Sequence, residues 1–66
     1  MELDQAIVLL KNVVKGSAVE GQNHFDLTIV ATEERPRYQQ ALMVSQMALR
    51  DGKITKEEFN RRVHLE

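Results

Sequence analysis

A glycine turn running straight into a helix cap, Gly52-Lys53-Ile54-Thr55-Lys56-Glu57-Glu58-Phe59, constrains this chain more than any other stretch. Thr55 and Glu58 have the spacing of a capping box. The hydroxyl is expected to accept the N–H of Glu58, and the carboxylate to accept the N–H of Thr55. Ile54 and Phe59 take the two places of a hydrophobic staple. Glu57 and Glu58 bring carboxylates to the positive end of the helix dipole. Gly52 suits the left-handed residue that ends a preceding helix. The pattern predicts a long helix over 36–50, a turn at Arg50-Asp51-Gly52-Lys53 and a short helix over 56–63.

The same residues imitate half of a calcium-binding EF-hand loop. With Gly52 at loop position 6 and Glu58 at position 12, positions 1 and 3 fall on Met47 and Leu49. Neither side chain has an oxygen to give a hard cation, so the stretch reads as a capped turn and no metal site is expected.

Leu49-Arg50-Asp51-Gly52-Lys53-Ile54-Thr55-Lys56-Glu57-Glu58-Phe59, with Arg62 and Val63 after it, resembles the short C-terminal domain (SHOCT) family of bacterial proteins. The resemblance covers 49–63. It implies a helical hairpin and a role in oligomerisation, and it brings no catalytic residues.

Sixty-six residues make a single small domain over 1–66. A chain this size buries only about 60% of its unfolded surface. With no cysteine there is neither a disulfide nor a zinc–thiolate site to reinforce it. Good packing or self-association must serve instead. A net charge of −1 exerts no general pull on nucleic acid or anionic lipid. The longest apolar run, 6–10, is too short to span a bilayer. Glu2 and Asp4 make an acidic start, unlike a secretory signal, so a cytoplasmic protein is expected. Leu65-Glu66 reads as a vector-derived ending and is given no functional weight.

A first helix is expected over 4–15. Leu3, Ala6, Ile7, Leu10, Val13 and Val14 follow helical spacing, and Gly16 follows as a stop. Val8 and Leu9 widen the stripe, which suits a core helix touched on two sides or one that binds a partner. Residues 17–24 read as a loop. Phe25, Leu27 and Ile29 alternate with Asp26, Thr28 and Val30, so 24–31 reads as a strand. That strand would pair across a twofold axis, pair with part of 17–23, or lie extended on the helices.

Pro36 biases Arg35 away from helical geometry and fits the first helical position, so the long helix is placed from about 36. A start at Glu33 requires an irregular turn at the proline. Tyr38, Ala41, Leu42, Ser45, Ala48 and Leu49 form its stripe, and Met43, Val44 and Met47 widen it. A helix apolar around most of its circumference is either central to its fold or part of an interface. The short helix offers Phe59 and Val63 as a cover for it. The fold class expected is mainly α, with three helices and one short strand.

Catalysis has little support. No pattern brings His24 or His64 to a nucleophile, and Ser45 lies on an apolar stripe. Glu33-Glu34 and Glu57-Glu58 are adjacent residues that point apart on a helix, and both suit dipole-favouring helix starts. His24 with Asp26 could share a strand face, but no second ligand pair accompanies them. No glycine-rich phosphate loop is present. Neither catalytic nor cofactor-binding residues are assigned. The expected function is a non-catalytic protein-interaction or oligomerisation module. Its interface residues are Val8, Leu9, Met43, Val44 and Met47, with Phe25, Leu27 and Ile29 from the strand. Its expected partner is itself, in a dimer or larger, with room for another protein.

The alternative is a ribbon-helix-helix DNA-binding dimer, which shares the order strand, helix, glycine turn, helix. Phe25-Asp26-Leu27-Thr28-Ile29 would be the ribbon, with Asp26, Thr28 and Val30 toward DNA. Those residues include no arginine or lysine, and a carboxylate repels phosphate, so nucleic acid is a poor fit.

Overall fold

The fold is seen in a computed structural model that describes residues 1–17 and 22–64. It is mainly helical, with three α-helices and one antiparallel strand pair. In chain order these are α1 (Leu3–Lys11), β1 (Val14–Ser17), β2 (Gln22–Phe25), α2 (Arg35–Arg50) and α3 (Lys56–His64). Two 3-10 turns, Leu27–Ile29 and Thr32–Glu34, join β2 to α2. Much of the segment expected as a loop, including Glu20 and Gly21, lies outside the described residues, as does Leu65-Glu66. No described helix is long and apolar enough to cross a membrane.

The first helix stops at Lys11 rather than near Lys15. The N–H of Asn12 donates to Leu9 O and that of Val13 to Leu10 O, both at 3.1 Å, which tightens the last turn. Val13 and Val14 are β-branched and favour extended backbone. Val14 enters β1, which pairs with β2 in the register Val14↔Phe25, Lys15↔His24, Gly16↔Asn23 and Ser17↔Gln22. Val13 still reaches the core, at 1% exposure, but from the turn and not from the helix.

The strand expected over 24–31 ends at Phe25. Asp26 stops it: its Oδ1 accepts the N–H of Thr28 at 3.0 Å and the Thr28 hydroxyl at 2.5 Å. A short carboxylate bonding its backbone two residues on favours a turn over a sheet ladder. Arg35 then donates from Nε to Leu27 O at 3.2 Å, tying this 3-10 turn to the start of α2. Arg35 is itself helical, with φ −58° and ψ −40°. Pro36 costs α2 no hydrogen bond here, because the N–H a proline lacks has no helical partner in a first turn. One irregular turn, Thr32–Glu34, leads into α2.

At its far end α2 closes in a Schellman arrangement. Lys53 N–H donates to Ala48 O at 2.9 Å, Gly52 N–H donates to Leu49 O at 3.3 Å, and Gly52 has φ +75°. Thr55 Oγ1 accepts the N–H of Glu58 at 3.1 Å, so the expected cap on α3 forms. Its reciprocal half does not, because the Glu58 carboxylate is taken by the Arg61 guanidinium in a two-pronged, charge-assisted contact.

The middle of the molecule is α1. Its Ala6, Ile7 and Leu10 are buried, and so are Tyr38, Ala41, Ser45 and Ala48 on the facing side of α2. Small side chains at 41, 45 and 48 let the two axes come close. α3 was expected to cover α2, but it lies chiefly against α1 and β1. Phe59 and Val63 are buried there, and Phe59 meets Phe25 edge to face with ring centroids 6.3 Å apart. Arg62 pairs with Asp4 at 2.8 Å, joining α3 to the first turn of α1.

Candidate interaction surface

α1 and α2 run antiparallel. The start of α1 lies beside the end of α2, where Met1, Glu2 and Leu3 share a groove of about 370 Å³ with Val44, Met47, Ala48, Asp51 and Lys53. The other end of the seam holds a groove of about 250 Å³ lined by Asp4, Gln5, Val8, Leu9 and Arg37. Of the residues that widened the helical stripes, Val8 and Leu9 line one groove of the α1–α2 seam and Val44 and Met47 the other, while Met43 lines neither. Val44 and Leu9 are half-buried in the seam, and Val8 stands 62% exposed.

Met43 and Met47 lie one turn apart on the side of α2 opposite its buried stripe, at 61% and 47% exposure. With Gln39, Gln40, Gln46 and Arg50 also exposed, they form an apolar spot on an otherwise polar face. Arg50 is partnered by Asp51, Nε to Oδ1, at 3.3 Å.

The strand residues behave differently. Phe25 and Leu27 are half-buried and pack against the chain's own core. Ile29 is 55% exposed on a 3-10 turn and lines neither groove of the helical seam. A ribbon built from Phe25, Leu27 and Ile29 across a twofold axis needs extended backbone that 27–29 do not have.

Two of the candidate carboxylates, Asp26 and Glu58, are engaged in structural contacts. Asp26 is held below its ordinary carboxylate value by the Thr28 hydroxyl and N–H, with smaller help from Lys15 and Arg35. Glu58, the one carboxylate of the EF-hand imitation at a ligand position beyond the glycine, is held low by Arg61. Ser45 Oγ is buried with no hydrogen-bond partner, inside the α1–α2 contact and not in a cleft. Among the described residues no three histidines or carboxylates gather as metal ligands.

Sequence reasoning missed Met1 and Leu3 as part of this surface, along with Asp51 and Lys53. The signal for Leu3 was its place on the α1 stripe. Nothing local in the sequence placed it against α2, because the antiparallel docking of two distant helices sets that contact. No protein-family model, curated protein or solved structure matches this chain.

Proposed function

We propose that this chain is a non-catalytic, cytoplasmic protein-interaction module that self-associates, as a dimer or larger, through the exposed face of α2. The observation that carries the proposal is the pair Met43 and Met47, still 61% and 47% exposed after the chain has built its core. A broadly apolar helix belongs at the centre of a fold or in an interface. Here α1 occupies the centre, which leaves the interface role for α2. Methionine suits it, being flexible enough to fill an irregular partner surface. The resemblance of 49–63 to the short C-terminal domain family points the same way.

Light scattering should give at least twice the chain mass at hundreds of micromolar, with a melting temperature that rises with concentration. Met43→Glu or Met47→Glu should return the monomer, since a carboxylate buried without a partner is costly. A monomer at hundreds of micromolar, with a melting temperature independent of concentration, would refute the proposal.

A further inference from the structure

We infer that the partner is a second copy of this chain, and that the two α2 helices pack antiparallel about a twofold axis beside Met43 and Met47. The inference rests on the self-association proposed above and specifies its geometry.

The first ground is the order of side chains along the exposed face of α2. Gln39 and Gln40 come first, Met43 and Met47 are in the middle with Gln46 beside them, and Arg50 is last; all are exposed. A parallel pair would set Arg50 against Arg50 of the other copy, and like charges at contact are unfavourable. An antiparallel pair with Met43 opposite Met47 carries position 40 opposite position 50. Arg50 then faces an amide whose oxygen can accept from it, and the two guanidinium groups lie at opposite ends of the contact.

The second ground is shape. The groove lined by Met1, Leu3, Val44, Met47 and Ala48 has one of the two exposed methionines, Met47, in its wall, and Met43 stands one turn before it on α2. A twofold contact requires that projection and recess belong to one surface, because each copy offers both. In the antiparallel register Met43 of one copy lies over Met47 of the other, at the mouth of that groove. Each copy thus completes the other's recess.

The third ground is charge. The rim carries both signs, with Glu2 and Asp51 against Lys53 and Arg50, and the chain as a whole is at −1. A strongly acidic or basic peptide would meet like charge on part of this rim. A second copy meets a mixed surface equal to its own and can match opposite signs across it.

The test uses the full chain, which has no cysteine of its own. Gln40→Cys and Arg50→Cys each place one thiol on the exposed face of α2, and Lys56→Cys, exposed on α3, reports random collision. The variants are equilibrated in reductant, singly and as a mixture, and then oxidised. The arrangement predicts a disulfide-linked band of twice the chain mass from the Gln40→Cys and Arg50→Cys mixture. Either variant alone should give no more than the Lys56→Cys background. Self-linking of Arg50→Cys or Gln40→Cys above background means parallel helices and overturns the antiparallel inference, while leaving self-association standing. A dimer with no band above background overturns the inference in the same way. Sedimentation of the unmodified chain is read beside these results. A monomer there removes both the inference and the reading beneath it, and association that survives Met43→Glu places the contact off this face and overturns both as well.

Discussion

Two helices share most of this chain's apolar residues and end in opposite circumstances. α1 has nine residues and is covered by α2 on one side and by α3 on another. α2 has sixteen, carries apolar residues on its far side as well as its buried one, and is covered on one side only. Apolar breadth alone therefore does not locate the centre of a small fold. What locates it is a run that can be covered from two directions, and Ala6, Ile7, Leu10 and Val13, none above 2% exposure, form that run. What this arrangement leaves uncovered on α2 is Met43 and Met47.

Truncation on each helix tests this contrast most severely. Leu10→Ala removes a fully buried side chain from α1 and should cost about 2–5 kcal/mol, enough to unfold most copies of so small a domain. Met43→Ala on α2 should stay within about 0.5 kcal/mol in dilute solution, where an exposed side chain loses little. Urea denaturation at low concentration measures both. Similar losses at the two sites would end the distinction between a central and a peripheral helix.

The turn that sends α3 away from α2 and onto α1 comes next. A Cβ at Gly52 would meet no atom within 4 Å, so Gly52→Ala tests backbone strain alone at φ +75°. A left-handed L-residue costs about 1–2 kcal/mol. Thr55→Ala should cost about 1 kcal/mol by removing the acceptor for the Glu58 N–H, and Thr55→Ser should be nearly neutral. Equal losses from Ala and Ser at position 55 would show that the hydroxyl does not hold the cap.

The sequence marked these local features well because each is decided within a few residues. Gly52, the Thr55 cap, the three helices and the buried stripe of α2 are all of that kind. It fared worse where a distant partner decides. Val13 and Val14 continue a helical stripe on paper, yet they leave the helix because 22–25 lie alongside to pair with the strand. Phe25, Leu27 and Ile29 alternate like a strand, yet one carboxylate two residues before Thr28 turns the chain. The destination of α3 was the largest error, since the pattern of Phe59 and Val63 does not say which helix they cover. As for the surface, Met43, Val44, Met47, Val8 and Leu9 were legible as excess apolar residues, but that Val8, Leu9, Val44 and Met47 border the seam while Met43 stands apart from it was not.

A smaller effect is expected inside the α1–α2 contact. Ser45 Oγ is buried with no hydrogen-bond partner. Ser45→Ala keeps the close approach of the helices and removes an unsatisfied group, and it should stabilise by about 1 kcal/mol. A loss of stability in thermal or urea melts would mean that the hydroxyl is bonded in solution and that the contact is looser than it looks.

The least effect comes from acid, and it separates the lashings of the two helices. Asp26 holds the turn leading toward α2, and Glu58 belongs to α3, which covers α1. Thr28 lowers the first carboxylate below its ordinary 3.8, and Arg61 lowers the second below its ordinary 4.5. A group with a depressed folded pKa binds its proton more readily in the unfolded chain. Each contribution is therefore fully present above the ordinary value and fades as pH falls through the lower folded one. Both carboxylates are exposed, so the slope should be shallow. Melting temperature should dip below about pH 4.5, the ordinary value for Glu58, and continue down past 3.8 as Asp26 protonates. Asp26→Asn should remove the lower part of the dip and Glu58→Gln the upper part. NMR amide shifts assign the steps: protonation of Asp26 should move Thr28, and protonation of Glu58 should move Arg61. A Glu58→Gln chain that keeps the full upper dip would mean that the Arg61 contact does not hold α3, and that α1 is covered by apolar packing alone.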